Sequence, residues 1–195
     1  MDSYRMSFEL GKVLVDRAVM GIRGPGEFQV SLRGKEDLQA LLAEGKGLVL
    51  VTAHAGCWQV AMATLSSLEA PVSMLMRRED GEVDRHYFEH AGESPYRIID
   101  PTGFLGGTLE MLEVLKKGEV LCTMGDRVLG SLKNAVSLEF LGDPAQFPFS
   151  AFKLASTSGA PVVVMFTCKT GPDSYALELA RVIRVPGGLG RSAAA

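Results

Sequence analysis

The chain has 195 residues, 47% of them hydrophobic and 22% charged, with a formal net charge of −3 at pH 7. That length and composition fit one folded domain over residues 1–195 and exclude a disordered or fibrous chain. No Lys/Arg-rich block supplies the concentrated basic surface that neutralises phosphates, which argues against a nucleic-acid partner. Cys57, Cys122 and Cys168 lie far apart without zinc-ligand spacing, so neither a disulfide framework nor a metal site is expected, and a reducing, cytoplasmic setting fits.

Residues 1–24 read as a helix. Tyr4, Phe8, Val15, Ala18, Val19 and Ile22 recur at helical spacing, with Arg5, Lys12 and Arg17 beside them, so the helix either packs on its own core or faces a membrane. The core is the simpler expectation. No stretch approaches the roughly 20 apolar residues that cross a bilayer, and the first residues lack the order of a signal peptide. After the break GIRGPGE, FQVSLRG alternates as a half-buried strand and KEDLQALLAEGKG reads as a short amphipathic helix. GLVLVTA is a buried strand, WQVAMATLSSL a helix and PVSMLM another short strand, a β-α-β unit that implies parallel pairing.

The alternation continues. EVDRHYFEHAG is a polar helix or turn, YRIID a strand, FLGGTLEMLEVLKKG a helix and EVLCTMGD a buried strand. AVSLEFLG is a strand, PFSAFKLASTSG a helix closed by Gly159, and APVVVMFTC and SYALELARVI are two strands around the turn KTGPDS. Residues 186–195 carry no periodic pattern and are expected to be a frayed tail or a truncation point. The fold class is α/β, with a mainly parallel sheet flanked by helices on both faces and antiparallel pairing near the C-terminus.

Ligands of open α/β sheets bind at the carboxyl ends of the strands. His54 closes GLVLVTA, Arg77 and Arg78 close PVSMLM, and Asp126 with Arg127 closes EVLCTMG. Taken singly, each has a plain structural explanation: a hydrogen-bonded histidine, solvated arginines, a capping aspartate. Taken together on one edge, they point to a site. A neutral imidazole there accepts the proton of an attacking hydroxyl or amine, best when its other ring nitrogen is held by a carboxylate. Arg77, Arg78 and Arg127 suit a phosphate, which guanidinium groups bind bidentately. His86 and His90 are four apart on a polar stretch with no third ligand in view. Met62, Met74, Met76, Phe140, Phe147 and Phe149 suit an acyl groove or the core equally.

VTAHAGCWQ resembles the signature of the lysophospholipid and lipid A biosynthesis acyltransferases, a strand-end histidine followed by an acid in the pattern HxxxxE or HxxxxD. The likeness extends over roughly residues 27–184, through GEVLCTMGDR and LEFLGDPAQFPFSAFKLASTSGAPVVVMF. It implies a glycerolipid-acyltransferase-like fold and transfer of a fatty acyl group to a hydroxyl or amine of a lipid acceptor. The donor would be acyl-carrier protein or acyl-CoA, with no metal or other cofactor, and the place the cytoplasmic face of the inner membrane. His54 would be the base, with Trp58 among the substrate-binding residues.

Gln59 stands where the family has its acid. An amide accepts a hydrogen bond but does not stabilise an imidazolium as an anion does. Three readings stay open: an active enzyme using the amide, an active enzyme in which Asp126 supplies the charge, and a silent module that binds acyl lipid or carrier protein. Hydrolysis of an acyl thioester is a further alternative. Restoring the acid by Gln59→Glu is expected to preserve or raise transfer. Cys57, near a helix start, suits packing better than nucleophilic attack.

Overall fold

The computed structural model describes residues 2–77, 96–128 and 132–188. In chain order it runs through α1 (Asp2–Arg23), β1 (Gln29–Arg33), α2 (Lys35–Leu42), β2 (Leu48–Thr52), α3 (Trp58–Met62) and β3 (Val72–Leu75). There follow β4 (Arg97–Ile99), α4 (Thr108–Lys116), β5 (Val120–Met124), β6 (Ala135–Phe140) and β7 (Asp143–Pro148). The last elements are α5 (Ser150–Ser158), β8 (Val162–Lys169) and β9 (Ser174–Ile183). The expected segment EVDRHYFEHAG, with His86 and His90, lies outside the described residues, as do Arg78 and the tail from residue 189.

A seven-stranded sheet has the order β1-β9-β8-β2-β5-β3-β4. Strands β8, β2, β5, β3 and β4 are mutually parallel, β9 is antiparallel to β8, and β1 is parallel to β9. The α/β class and its antiparallel C-terminal pair are thus as the alternation predicts. Helices cover both faces. On one, Leu38 and Leu41 of α2 and Trp58 and Met62 of α3 pack on Leu48, Leu50, Met74 and Cys122. On the other, Met111, Val114 and Leu115 of α4 and Leu154 and Ala155 of α5 pack on Val49, Leu121 and Val162. Each large side chain buried this way stabilises the fold by about 1.5–3 kcal/mol, so the middle of the sheet is the rigid base on which the strand ends stand.

Three expectations are corrected. Strands β2 and β3 do not pair with one another; each pairs with β5, which lies between them. The β5 run VLCTM is buried almost throughout, which suits the sheet centre, and local periodicity carries no information on strand order. The segment DPAQFP, unassigned from sequence, is β7, paired with β6 in a separate two-stranded sheet. Pro144 and Pro148 disguise it, and such prolines are tolerated where a strand is an edge. Finally, FLGGTLEMLEVLKKG is split: Phe104–Gly107 forms a tight turn and the helix begins at Thr108.

Helix α1 packs by one side only. Val13, Asp16 and Met20 face inward, while Tyr4, Phe8, Val15 and Ile22 are exposed. Among the described residues no helix is long and apolar enough to cross a membrane.

Candidate active site

Strand pairing builds the site. In the parallel ladder of β2 and β5, Thr52 lies opposite Met124, and Gly125 N–H donates to the Thr52 carbonyl at 2.8 Å. Two residues further along each strand, His54 and Asp126 come opposite one another. The His54 amide donates to Asp126 Oδ2 at 3.0 Å, and His54 Nδ1 lies 2.9 Å from Oδ1 and 3.2 Å from Oδ2. The same carboxylate therefore holds both the backbone and the ring. An anion on Nδ1 keeps the proton there, which leaves Nε2 as the nitrogen able to take a proton from an acceptor.

Partial burial pushes the Asp126 carboxyl up, but the hydrogen bonds from His54 outweigh it and hold the group below its ordinary value. Asp126 is thus an anion at neutral pH. The side chains of His54 and Asp126 remain 35% and 30% exposed, so a substrate has access to the pair.

Two glycines make this approach possible. A side chain at Gly125 would place its Cβ 2.6 Å from Val51 Cγ1, so any other residue forces Val51 or the chain to shift beside Asp126. Gly56 has φ +63, and a Cβ there would meet the Thr167 carbonyl at 3.0 Å. Gly125→Ala is expected to lower stability by about 1–3 kcal/mol through overpacking and to lower activity more than stability alone explains. A denaturant midpoint measured beside kcat checks this; unchanged kcat would show that Asp126 reaches its place without that close approach.

Cys57, Trp58 and Gln59, which follow the turn, are buried. Burial pushes the Cys57 thiol up from its ordinary value, and it packs with Met20, Val60 and Tyr175, a core role. Trp58, expected among the substrate contacts, packs instead among the core residues of α2 and the sheet. Gln59 is 5% exposed, and its Oε1 faces the Cys57 thiol at 3.8 Å, while the carboxylate on the ring of His54 comes from Asp126. This reverses the expectation for Gln59→Glu. A carboxylate there carries a desolvation cost that the amide lacks, so the variant is expected to lose about 1–3 kcal/mol of stability with no gain in transfer. A rise in kcat would show that position 59 addresses His54 after all.

Arg127 adjoins Asp126 and is exposed; Arg77 is exposed at the end of β3. Strand β3 lies one strand beyond β5, so Arg77 stands on the same edge roughly 10 Å from the line of β2. Met62, Met74 and Phe149 are core residues and Met76 packs partly against that core, whereas Phe140 is exposed and stands edge-to-face on Phe147 at 5.8 Å. Among the described residues no group of three or more His, Cys, Asp or Glu side chains is arranged to hold a metal ion.

The family model of the bacterial lipid A biosynthesis acyltransferases matches residues 14–180. The chain belongs to this family. Among curated proteins it is similar to a phosphatidylinositol mannoside acyltransferase of Mycobacterium tuberculosis, 27% identical over 132 residues, which covers 67% of this chain and 41% of the relative. A phosphatidylinositol mannoside acyltransferase of Mycolicibacterium smegmatis is 28% identical over 127 residues, 64% of this chain and 41% of the relative. The chain thus spans about two fifths of the length of these relatives. The matched family segment contains the whole edge that carries His54, Arg77, Asp126 and Arg127. It also runs through β6 and β7 to most of β9.

Proposed function

We propose that this member of the lipid A biosynthesis acyltransferase family transfers a fatty acyl group from a thioester donor, acyl-carrier protein or acyl-CoA, to a hydroxyl or amine of a lipid acceptor. The observation that carries the reading is the pair His54–Asp126 at the exposed carboxyl edge of the sheet. His54 Nε2 takes the proton as the acceptor oxygen or nitrogen attacks the thioester carbonyl. The tetrahedral intermediate collapses with loss of the C–S bond, and the imidazolium returns the proton to the leaving thiolate. Asp126 stabilises the imidazolium between these steps and Gln59 has only a structural part. Arg77 and Arg127, together with Arg78, are suited to a phosphate of the donor or of a lipid head group. The names of the relatives favour a glycolipid acceptor, whose sugar supplies the hydroxyl.

A lipid surface is the natural location of such a reaction. Exposed apolar side chains stand on segments that leave or reach the same edge: Phe104 and Leu105 after β4, Phe140 and Leu141 on the β6–β7 hairpin after β5, and Tyr4 and Phe8 on α1. Exposed apolar side chains on such segments suit contact with lipid. These features support peripheral contact with a membrane, which we place at its cytoplasmic face.

Incubation with labelled acyl-CoA, or labelled acyl-carrier protein, and vesicles made with a lipid acceptor extract tests the proposal. Label moved to lipid, with protein sedimenting with the vesicles, is the expected result. Label released as free fatty acid would make the protein a thioester hydrolase. Donor retained without any product would make it a silent binding module.

A further inference from the structure

Asp16 lies on α1, in a helix whose neighbours are mostly apolar, and its side chain is only 11% exposed. Lys169 Nζ at the end of β8 and the Tyr175 hydroxyl at the start of β9 both donate to its Oδ2. The three side chains join the first helix to β8, which pairs with β2, and to β9 on the far side of β8. Tyr175 is fully buried, and burial, reinforced by the Asp16 carboxylate, raises its pKa, so it stays a neutral donor. The proposed chemistry uses none of these groups.

The node abuts the catalytic turn. Met20, one helical turn beyond Asp16, packs with Tyr175, Cys57 and Val60. Cys57 is three residues from His54, and Gly56 between them is pressed against the carbonyl of Thr167, two residues before Lys169 on β8. The turn 54–57 is therefore held from one side by the end of β8 and from another by α1 and Tyr175. Asp126 holds the ring and the amide of His54, while residues 56 and 57 of the same turn are braced by this second support. Stability alone is a poor account of the node, because apolar residues of similar volume commonly stabilise as well as a buried ion pair or better.

We propose that Asp16 is a positioning residue: through Lys169 and Tyr175 it fixes α1 against the turn 54–57 and so aims His54 for the transfer. This rests on the acyl-transfer reading above for its kinetic consequence, though not for its structural one. Displacement of a catalytic group by about 1 Å costs on the order of 10²-fold in rate, whereas binding contacts made elsewhere are untouched. The effect therefore falls on kcat and spares KM.

The test uses the full chain carrying Asp16→Leu, Lys169→Met and Tyr175→Phe together, which replaces the node with apolar groups and leaves no buried charge or hydroxyl behind. Its folding is followed by thermal melting, its kinetics with labelled acyl donor and vesicles, and His54 by the NMR shifts of its ring nitrogens without substrate. The expected result is a protein that melts at or near the wild-type temperature, with kcat lowered by about 10- to 100-fold and KM within about twofold. The ring-nitrogen shifts should move away from the Nδ1–H form held by Asp126. Asp16→Asn, which keeps an oxygen acceptor but loses the charge, should show the same changes in smaller measure, and it decides the matter if the triple variant does not fold. A folded variant with wild-type kcat and wild-type ring shifts would overturn the proposal. If the wild-type protein transfers no acyl group, the functional reading fails, while the ring shifts still test the positioning.

Discussion

His54→Ala is expected to lower transfer by about 10²- to 10⁴-fold, the contribution typical of a positioned general base. The fold should survive, because the His54 side chain is 35% exposed, so its removal opens no cavity in the core. The backbone amide of residue 54 also keeps its hydrogen bond to Asp126 Oδ2. Asp126, freed of the ring, loses part of what holds its carboxyl low and moves back toward its ordinary value. The loss should therefore appear in kcat with little change in the denaturant midpoint. Added imidazole, small enough to enter the vacated space beside Asp126, should restore part of the rate. Transfer at the wild-type rate by His54→Ala would mean that the base lies elsewhere in the chain.

Much of this site is legible in the sequence because it rests on strand ends. The apolar runs LVLVT and VLCTM fix two buried strands, and the first polar residues after them, His54 and Asp126, have to emerge on the same edge if those strands are parallel. That β5 lies directly beside β2 is not legible, because strand order depends on long-range packing. This adjacency turns Asp126 from one of several edge residues into the partner of the ring. Gln59 misleads for a related reason. Its spacing from His54 matches a family pattern, but direction is set by the turn at Gly56 and by the packing of α3 against the sheet and α1, which bury Trp58, Gln59 and Val60 together. Asp16 escapes notice because an acid on an amphipathic helix reads as a solvated residue until Lys169 and Tyr175 are brought to it across the chain.

Asp126→Asn is the sharper experiment, because it changes charge and donor pattern while keeping shape. The carboxylate now accepts from both the His54 amide and the ring Nδ1. Asparagine has one acceptor oxygen and one donor nitrogen, so it satisfies only one of these contacts as they stand. If its oxygen stays on the amide, its nitrogen faces Nδ1 and selects the tautomer with the proton on Nε2, which then cannot act as base. If the amide group flips, two donors meet at the backbone of residue 54 and the turn is pushed away. Either outcome removes the anion that stabilises the imidazolium. A fall in kcat of about 10²- to 10⁴-fold is expected, toward the lower end because water reaches this half-buried pair and replaces part of the lost charge stabilisation. Acid sensitivity should change as well. The folded-state pKa of Asp126 is depressed, so the stability it contributes is fully present above the ordinary carboxylate value of about 3.9 and is lost as pH falls through the lower folded value. Asp126→Asn lacks that contribution at neutral pH, so the gap between its unfolding midpoint and the wild type's should narrow as pH falls below about 4. A constant gap, together with kcat near that of the wild type, would reduce Asp126 to a cap on the turn and return the search for the partner of His54 to the other groups on this edge.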